Sequence, residues 1–209
     1  RIAYAEFLDS SGEFEAAEKE YKKTFEKSDG YIYGHFSYGN FLFSSGRLKE
    51  AEREYREALR IFSEKPGTIA YLNDFRFSRE CRENLSYVLI EEAAKSSDRI
   101  HAAEILMEAA ELNPSSMVYE KSADIMMSYE NYAEAEALYR LAAEANDGNS
   151  SRAAAGAGVA STRSGNLKKA AYYFNVALEK DPGNRQAKIY LEKIAAMLYR
   201  QQDGEKQKN

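Results

Sequence analysis

Tryptophan is absent, cysteine occurs once, histidine twice and proline three times in 209 residues. The single Cys81 excludes an internal disulfide and a cysteine metal cluster. His35 and His101 are too few for a histidine metal site or a catalytic dyad, so no metal and no cofactor are expected. Scarce proline leaves room for long helices. No apolar run reaches the ~18 residues of a membrane-crossing helix. No charged-then-apolar leader opens the chain, so no signal peptide is visible. The chain starts at Arg1 rather than Met and reads as a fragment from which a leader can have been cut. A reducing compartment, the cytoplasm before others, fits the cysteine usage. The excess of basic residues that a general nucleic-acid binder needs is also missing, since the net charge is −5.

What is present is a core-forming composition. Hydrophobic residues make up 44% and charged residues 30%, mixed in sign, so the chain is no disordered polyampholyte. The charge is uneven. Residues 152–209 carry eleven Lys/Arg against five Asp/Glu, and the rest carries 18 against 29. Such an asymmetry admits head-to-tail self-association of an acidic body with a basic end.

Self-similarity is the dominant signal. A turn, an aromatic or aliphatic residue and then an alanine recur five times, with the alanines at Ala17, Ala51, Ala102, Ala135 and Ala170. Four residues after each comes Tyr21, Tyr55, Leu106, Tyr139 or Phe174. Twelve residues before each stands Ala5, Gly39, Ile90, Ala123 or Gly158. The anchor spacings are 34, 51, 33 and 35, and the odd one is a period plus a 17-residue insertion. Small residues let two helices approach closely, and the large ones fill the space between neighbouring hairpins. One hairpin cannot cover its own apolar face, so neighbours must.

This pattern resembles the tetratricopeptide repeat (TPR) family over about residues 1–182, although the family's frequent tryptophan is absent. The resemblance implies an all-α, right-handed α-solenoid of about five helical hairpins plus a C-terminal capping helix. The repeats fall at about 1–31, 32–65, 83–115, 116–149 and 151–183, and the capping helix at 184–200. Together they form a single array over 1–200, with a disordered tail at 201–209. Within the insertion, 66–82, Pro66-Gly67 breaks the chain and no breaker follows until Ser96. The spacing therefore predicts one long helix from about 68 to 95 that extends the first helix of repeat three.

No catalytic constellation stands out. Gly156-Ala157-Gly158 lacks a preceding strand, and Ser161 stands where a dinucleotide fingerprint needs glycine, so close helix packing explains it better. Cys81 and His101 lie on different predicted helices. Glu91-Glu92, Glu108/Glu111 and Glu18/Glu20 read as solvated helix faces. The expectation is no enzyme.

By the resemblance, ligands lie on the concave face built from the first helix of each hairpin. That face is predicted to present Tyr33, Phe36, Asn40, Phe43, Tyr87, Glu91, Glu120 and Asp124 as partner-binding residues, beside Glu6 and Asp9. The slots in which some family members grip a chaperone tail's carboxylate hold Ile2, Glu6, Ser37, Asn84 and Val88, so no carboxylate clamp is expected. Aromatics supply anchors and carboxylates select basic partners. The implied function is a non-catalytic protein–protein interaction scaffold or adaptor that takes a peptide or helix with basic and apolar anchors. The other reading is a structural subunit that uses the long helix or the convex face, with the groove aromatics buried by neighbouring helices.

Overall fold

The computed structural model describes residues 1–25, 32–64, 72–145 and 150–206. Among them are eleven helices and no strand. The helices are α1 (Ile2–Ser10), α2 (Phe14–Phe25), α3 (Ile32–Ser44), α4 (Leu48–Glu64), α5 (Leu72–Lys95), α6 (Arg99–Leu112), α7 (Ser116–Ser128), α8 (Tyr132–Glu144), α9 (Ser150–Arg163), α10 (Leu167–Lys180) and α11 (Arg185–Lys206). Consecutive helices pair as hairpins from α1/α2 to α9/α10, and α11 packs on α10 and α9.

The tight turns follow from residues that tolerate the left-handed backbone. Gly12, Gly46 and Gly165 have φ of +81°, +72° and +82°. At each, the next residue's N–H returns to a carbonyl five residues back, as Glu13 does to Leu8 and Arg47 to Leu42, both at 2.9 Å. This closes the helix end in a Schellman arrangement. In the fourth hairpin the same turn is made by Glu130 at φ 60°. The third uses Asp98 instead, whose carboxylate accepts from the Ile100 and His101 amides that open α6.

The chain divides into two compact units, Arg1–Asn113 and Pro114–Asn209. The sequence reading takes 1–200 as one array. The division falls where Pro114 ends any continuation of α6 and Asn113 leaves the helical backbone, at φ −140° and ψ 83°. In the first unit Tyr21 and Tyr55 are buried, and Gly39 leaves room for the Tyr55 ring, which a Cβ would approach to 2.8 Å. In the second, Cβ atoms at Gly156 and Gly158 would meet the Tyr139 and Phe174 rings at 2.7 and 2.8 Å. Gly156-Ala157-Gly158 is thus a close-packing stripe on α9. The hydroxyls of Ser116 and Ser151, at the starts of α7 and α9, donate to the Ala142 and Ala177 carbonyls of their hairpin partners.

Two expectations are corrected and extended here. Of the expected tail at 201–209, residues 201–206 instead continue α11 as helix to Lys206, with no proline after Pro182 to interrupt it, and 207–209 lie outside the described residues. The long helix is continuous from Leu72 to Lys95; its expected start, with Pro66-Gly67, Ile69 and Tyr71, lies outside the described residues. Phe75 meets Phe62 of α4 edge-on at 5.3 Å, and Phe77 lies 4.8 Å from Tyr33 and 5.6 Å from Phe36. The helix therefore covers the second hairpin rather than standing clear of it.

Candidate partner-binding site

In the first unit, α1, α3 and α5 lie side by side and carry six of the eight expected residues. Their floor is knitted by side chains. Glu6 Oε1 accepts from the Tyr33 hydroxyl at 2.6 Å and from the Ser37 hydroxyl at 2.9 Å, joining α1 to α3. Asn40 Oδ1 accepts from the Tyr55 hydroxyl at 2.6 Å and from the Asn84 amide at 2.8 Å, joining α3 to α4 and α5. Phe36 sits beneath Phe77 and is buried, so it is part of the floor and not of the open surface. Phe43 and Tyr87, each three residues beyond this Asn40–Asn84 bond, are half-buried, and Glu91 is exposed one turn further along α5. Of the expected aromatics Tyr33, Phe43 and Tyr87 are thus half-buried and Phe36 is buried, and Glu91 is exposed on α5.

Glu120 and Asp124 belong to the second unit. Glu120 is buried on α7 and pairs with Arg152 of α9 at 2.8 Å. Burial pushes its carboxyl up, against the pull of Arg152, with the Asp124 charge adding to the rise. Asp124 is exposed and accepts the Tyr139 hydroxyl. The structure thus places the eight residues in two groups, one in each unit.

Phe77, Glu6 and Asn84 matter more to the first group than their spacing suggests. Phe77 belongs to the inserted turns of α5, which have no counterpart in the repeat. The Glu6 contacts cross between hairpins that no local pattern connects. Ile2 and Val88, two of the five clamp slots, are buried. Ser37 and Asn84 are spent on Glu6 and Asn40.

The reactive candidates are explained by packing. Cys81 is fully buried and its thiol is pushed up to about 12 by desolvation, so it is not a ready thiolate. His35 stacks on Phe25 at 4.5 Å, with Nδ1 2.8 Å from Glu54. His101 is exposed. Glu91 and Glu92 diverge. Glu92 is half-buried in a cleft of about 500 Å³ between α4, α5 and α6, and its buried Oε1 has no partner. Burial raises its carboxyl above the usual range. Among the described residues no group of His, Cys, Asp and Glu is arranged to hold a metal, and no helix is long and apolar enough to cross a membrane.

A family model for the tetratricopeptide repeat matches residues 7–66 and 123–185, more than half of the chain. The chain belongs to the TPR family. The unmatched middle contains α5 and α6, where the insertion breaks the 34-residue period. No curated protein matches. Among solved structures, the TPR fold of this chain is similar to that of YrrB, described as a TPR protein with an unusual peptide-binding site. The two are 23% identical, with a TM-score of 0.55 over 92% of this chain and 90% of that one. MamA is also similar, at 19% identity and a TM-score of 0.57, over 85% of this chain and 94% of that one. At these identities the likeness concerns the fold. TPR proteins are in general interaction scaffolds that bind other proteins or peptides.

Proposed function

We propose that this TPR chain is a non-catalytic adaptor that binds a peptide or helix of another protein along α3 and α5, using Phe43, Tyr87, Asn40 and Glu91. What supports this reading is that Phe43 of α3 and Tyr87 of α5, each three residues beyond the Asn40–Asn84 bond that joins the two helices, are half-buried, and that Glu91 of α5 is exposed. A preorganised floor means that binding need not order the site first. Half-buried aromatics supply anchoring area, and Glu91 favours a segment with Lys or Arg next to an apolar residue. YrrB's described peptide site is consistent with this use of the fold. Glu120 and Asp124 extend the same preference to the second unit, where Glu120 is partly neutralised by Arg152.

The test is a displayed peptide library selected on the whole 209-residue chain, followed by affinities for the enriched peptides. Basic–apolar segments should be enriched. Phe43→Ala together with Tyr87→Ala should weaken them by tenfold or more, the scale of an anchor residue. Glu91→Lys should weaken basic peptides selectively. Enrichment of acidic tails, or unchanged affinity in both variants, would sink the proposal. The other reading, a structural subunit that uses an outer face, draws on Ile100 and Met107, which protrude from α6.

A further inference from the structure

The cleft between α4, α5 and α6 lies wholly within the first unit. It is built from the start of α4, the end of α5 and the start of α6. Glu92, which lines it, stands ~100° around α5 from Glu91, so the cleft opens on a different side of that helix. Its volume of about 500 Å³ falls in the range of small-molecule sites, ~300–1,000 Å³. Leu48, Leu89 and Ile105 give it an apolar wall, and Lys49, Lys95 and His101 are exposed at its edge.

Charge in the cleft is divided unequally. Its arginines are engaged by carboxylates. Arg47 donates to Glu50 at 2.7 and 2.6 Å and meets Glu18 at 2.9 Å. Arg56 donates to Glu108 at 2.6 and 2.9 Å and to Glu52 at 2.7 Å. Lys49 and Lys95 make no ion pair among the described residues.

Glu92 does not balance the two lysines. Its Oε1 is closed off from solvent and has no hydrogen-bond partner. A carboxylate oxygen buried without a donor is an unfavourable place for negative charge. Burial accordingly raises this carboxyl, Glu52 adds to the rise, and Lys49, Arg56 and His101 oppose it. In its neutral form Glu92 leaves the lysines uncompensated and offers an O–H donor beside them.

We infer that this cleft binds a small organic acid, a phosphate monoester or a carboxylate with an apolar body, whose anionic group is met by Lys49, Lys95 and Glu92. The body rests on Leu48, Leu89 and Ile105. Two ammonium groups supply charge, the carboxyl O–H supplies a hydrogen bond to an anionic oxygen, and the aliphatic wall removes the body from water. A cationic ligand of the same size would face both lysines instead. The site is independent of the α3/α5 groove, and either can fail without the other.

Chemical-shift mapping on the whole 209-residue chain tests it, with phenyl phosphate and phenylacetate as the acids and benzylamine as the cation of similar size. The acids should move the amide signals of residues 46–50, 92–96 and 101–105 saturably, and benzylamine should leave them in place. The acid that binds more tightly tells the phosphate source from the carboxylate one. Lys49→Gln with Lys95→Gln should weaken that acid by about fivefold or more. Helical circular dichroism should not change, since both side chains are exposed. Glu92→Gln keeps a neutral hydrogen-bonding group and should bind at least as tightly as wild type. Absence of a saturable shift with either acid overturns the inference without any variant. So does benzylamine moving the same amides, or a lysine variant that binds like wild type. A loss of about fivefold or more in Glu92→Gln also overturns it, because Glu92 would then act as a charged acceptor. If the double lysine variant loses helicity, Lys49→Gln alone replaces it and must weaken the acid by about twofold or more.

Discussion

At the scale of single residues, four of the hairpins rest on one left-handed position, and it is filled unevenly. Gly12, Gly46 and Gly165 adopt it without a Cβ penalty, while Glu130 adopts it with one. The Glu130→Gly chain should be more stable by about 0.5–1 kcal/mol, the relief of the strained turn less the extra chain entropy of glycine. Urea denaturation checks this, and an unchanged or lower midpoint would refute it. The glycines inside helices act differently. They matter for the missing side chain, because aromatic rings occupy the space a Cβ would take.

At the scale of elements, hairpins are joined by buried aromatics and sealed by polar contacts at their rims. Glu18 of α2 is the clearest seal. It accepts from Tyr38 of α3 at 3.0 Å and pairs with Arg47 at 2.9 Å and Lys22 at 2.7 Å. Lys22, then Arg47 and Tyr38, outweigh the cost of burial and hold its carboxyl down at about 2, against 4.5. A carboxyl depressed in the fold stabilises above its unfolded pKa, and that contribution is lost as pH falls through the folded value. Between pH 4.5 and 2 the wild type should therefore lose stability more steeply than Glu18→Gln. Chemical denaturation across that window measures the slope, and parallel curves would dismiss the role. Glu136 of α8 is held likewise. Burial raises its carboxyl, but Lys169, Tyr173 and Ser161 together bring it down.

At the scale of the whole molecule, the stability of a repeat array is approximately a sum of contacts between neighbouring repeats. In the second unit the buried cluster runs from Ala142 on α8 to Ile194 on α11. Gly158→Ala should therefore act locally. Its Cβ would stand 2.8 Å from the Phe174 ring, and overpacking of this kind costs about 1–3 kcal/mol. Amide exchange should quicken over α8 to α11 and stay unchanged over α1 to α4. Uniform loss of protection through both units would contradict that picture.

The repeat itself was open to reading from residues alone. A hairpin's requirements are local and periodic: a turn residue, a small residue at the helix crossing, a ring to fill the gap. Ala17, Gly39, Ala51, Tyr55, Gly158 and Phe174 each stand where those requirements put them. The lack of a breaker between Pro66-Gly67 and Ser96 likewise led to the expectation of one long helix, and Leu72–Lys95 is continuous. Exposure is another matter, because it depends on which neighbour covers a position. Phe36 and Phe43 lie on one predicted groove face, yet Phe77 of α5 buries the first and leaves the second half-open. Tyr38 is buried because Tyr21 of α2, seventeen residues away in sequence, stacks on it at 5.5 Å. Helix formation and hairpin register were decided by short-range steric and hydrophobic patterning, which a linear chain carries in full. Which aromatics became floor, which stayed at the surface, and which carboxylates met partners was decided by side chains far apart in sequence, and only packing brings those together.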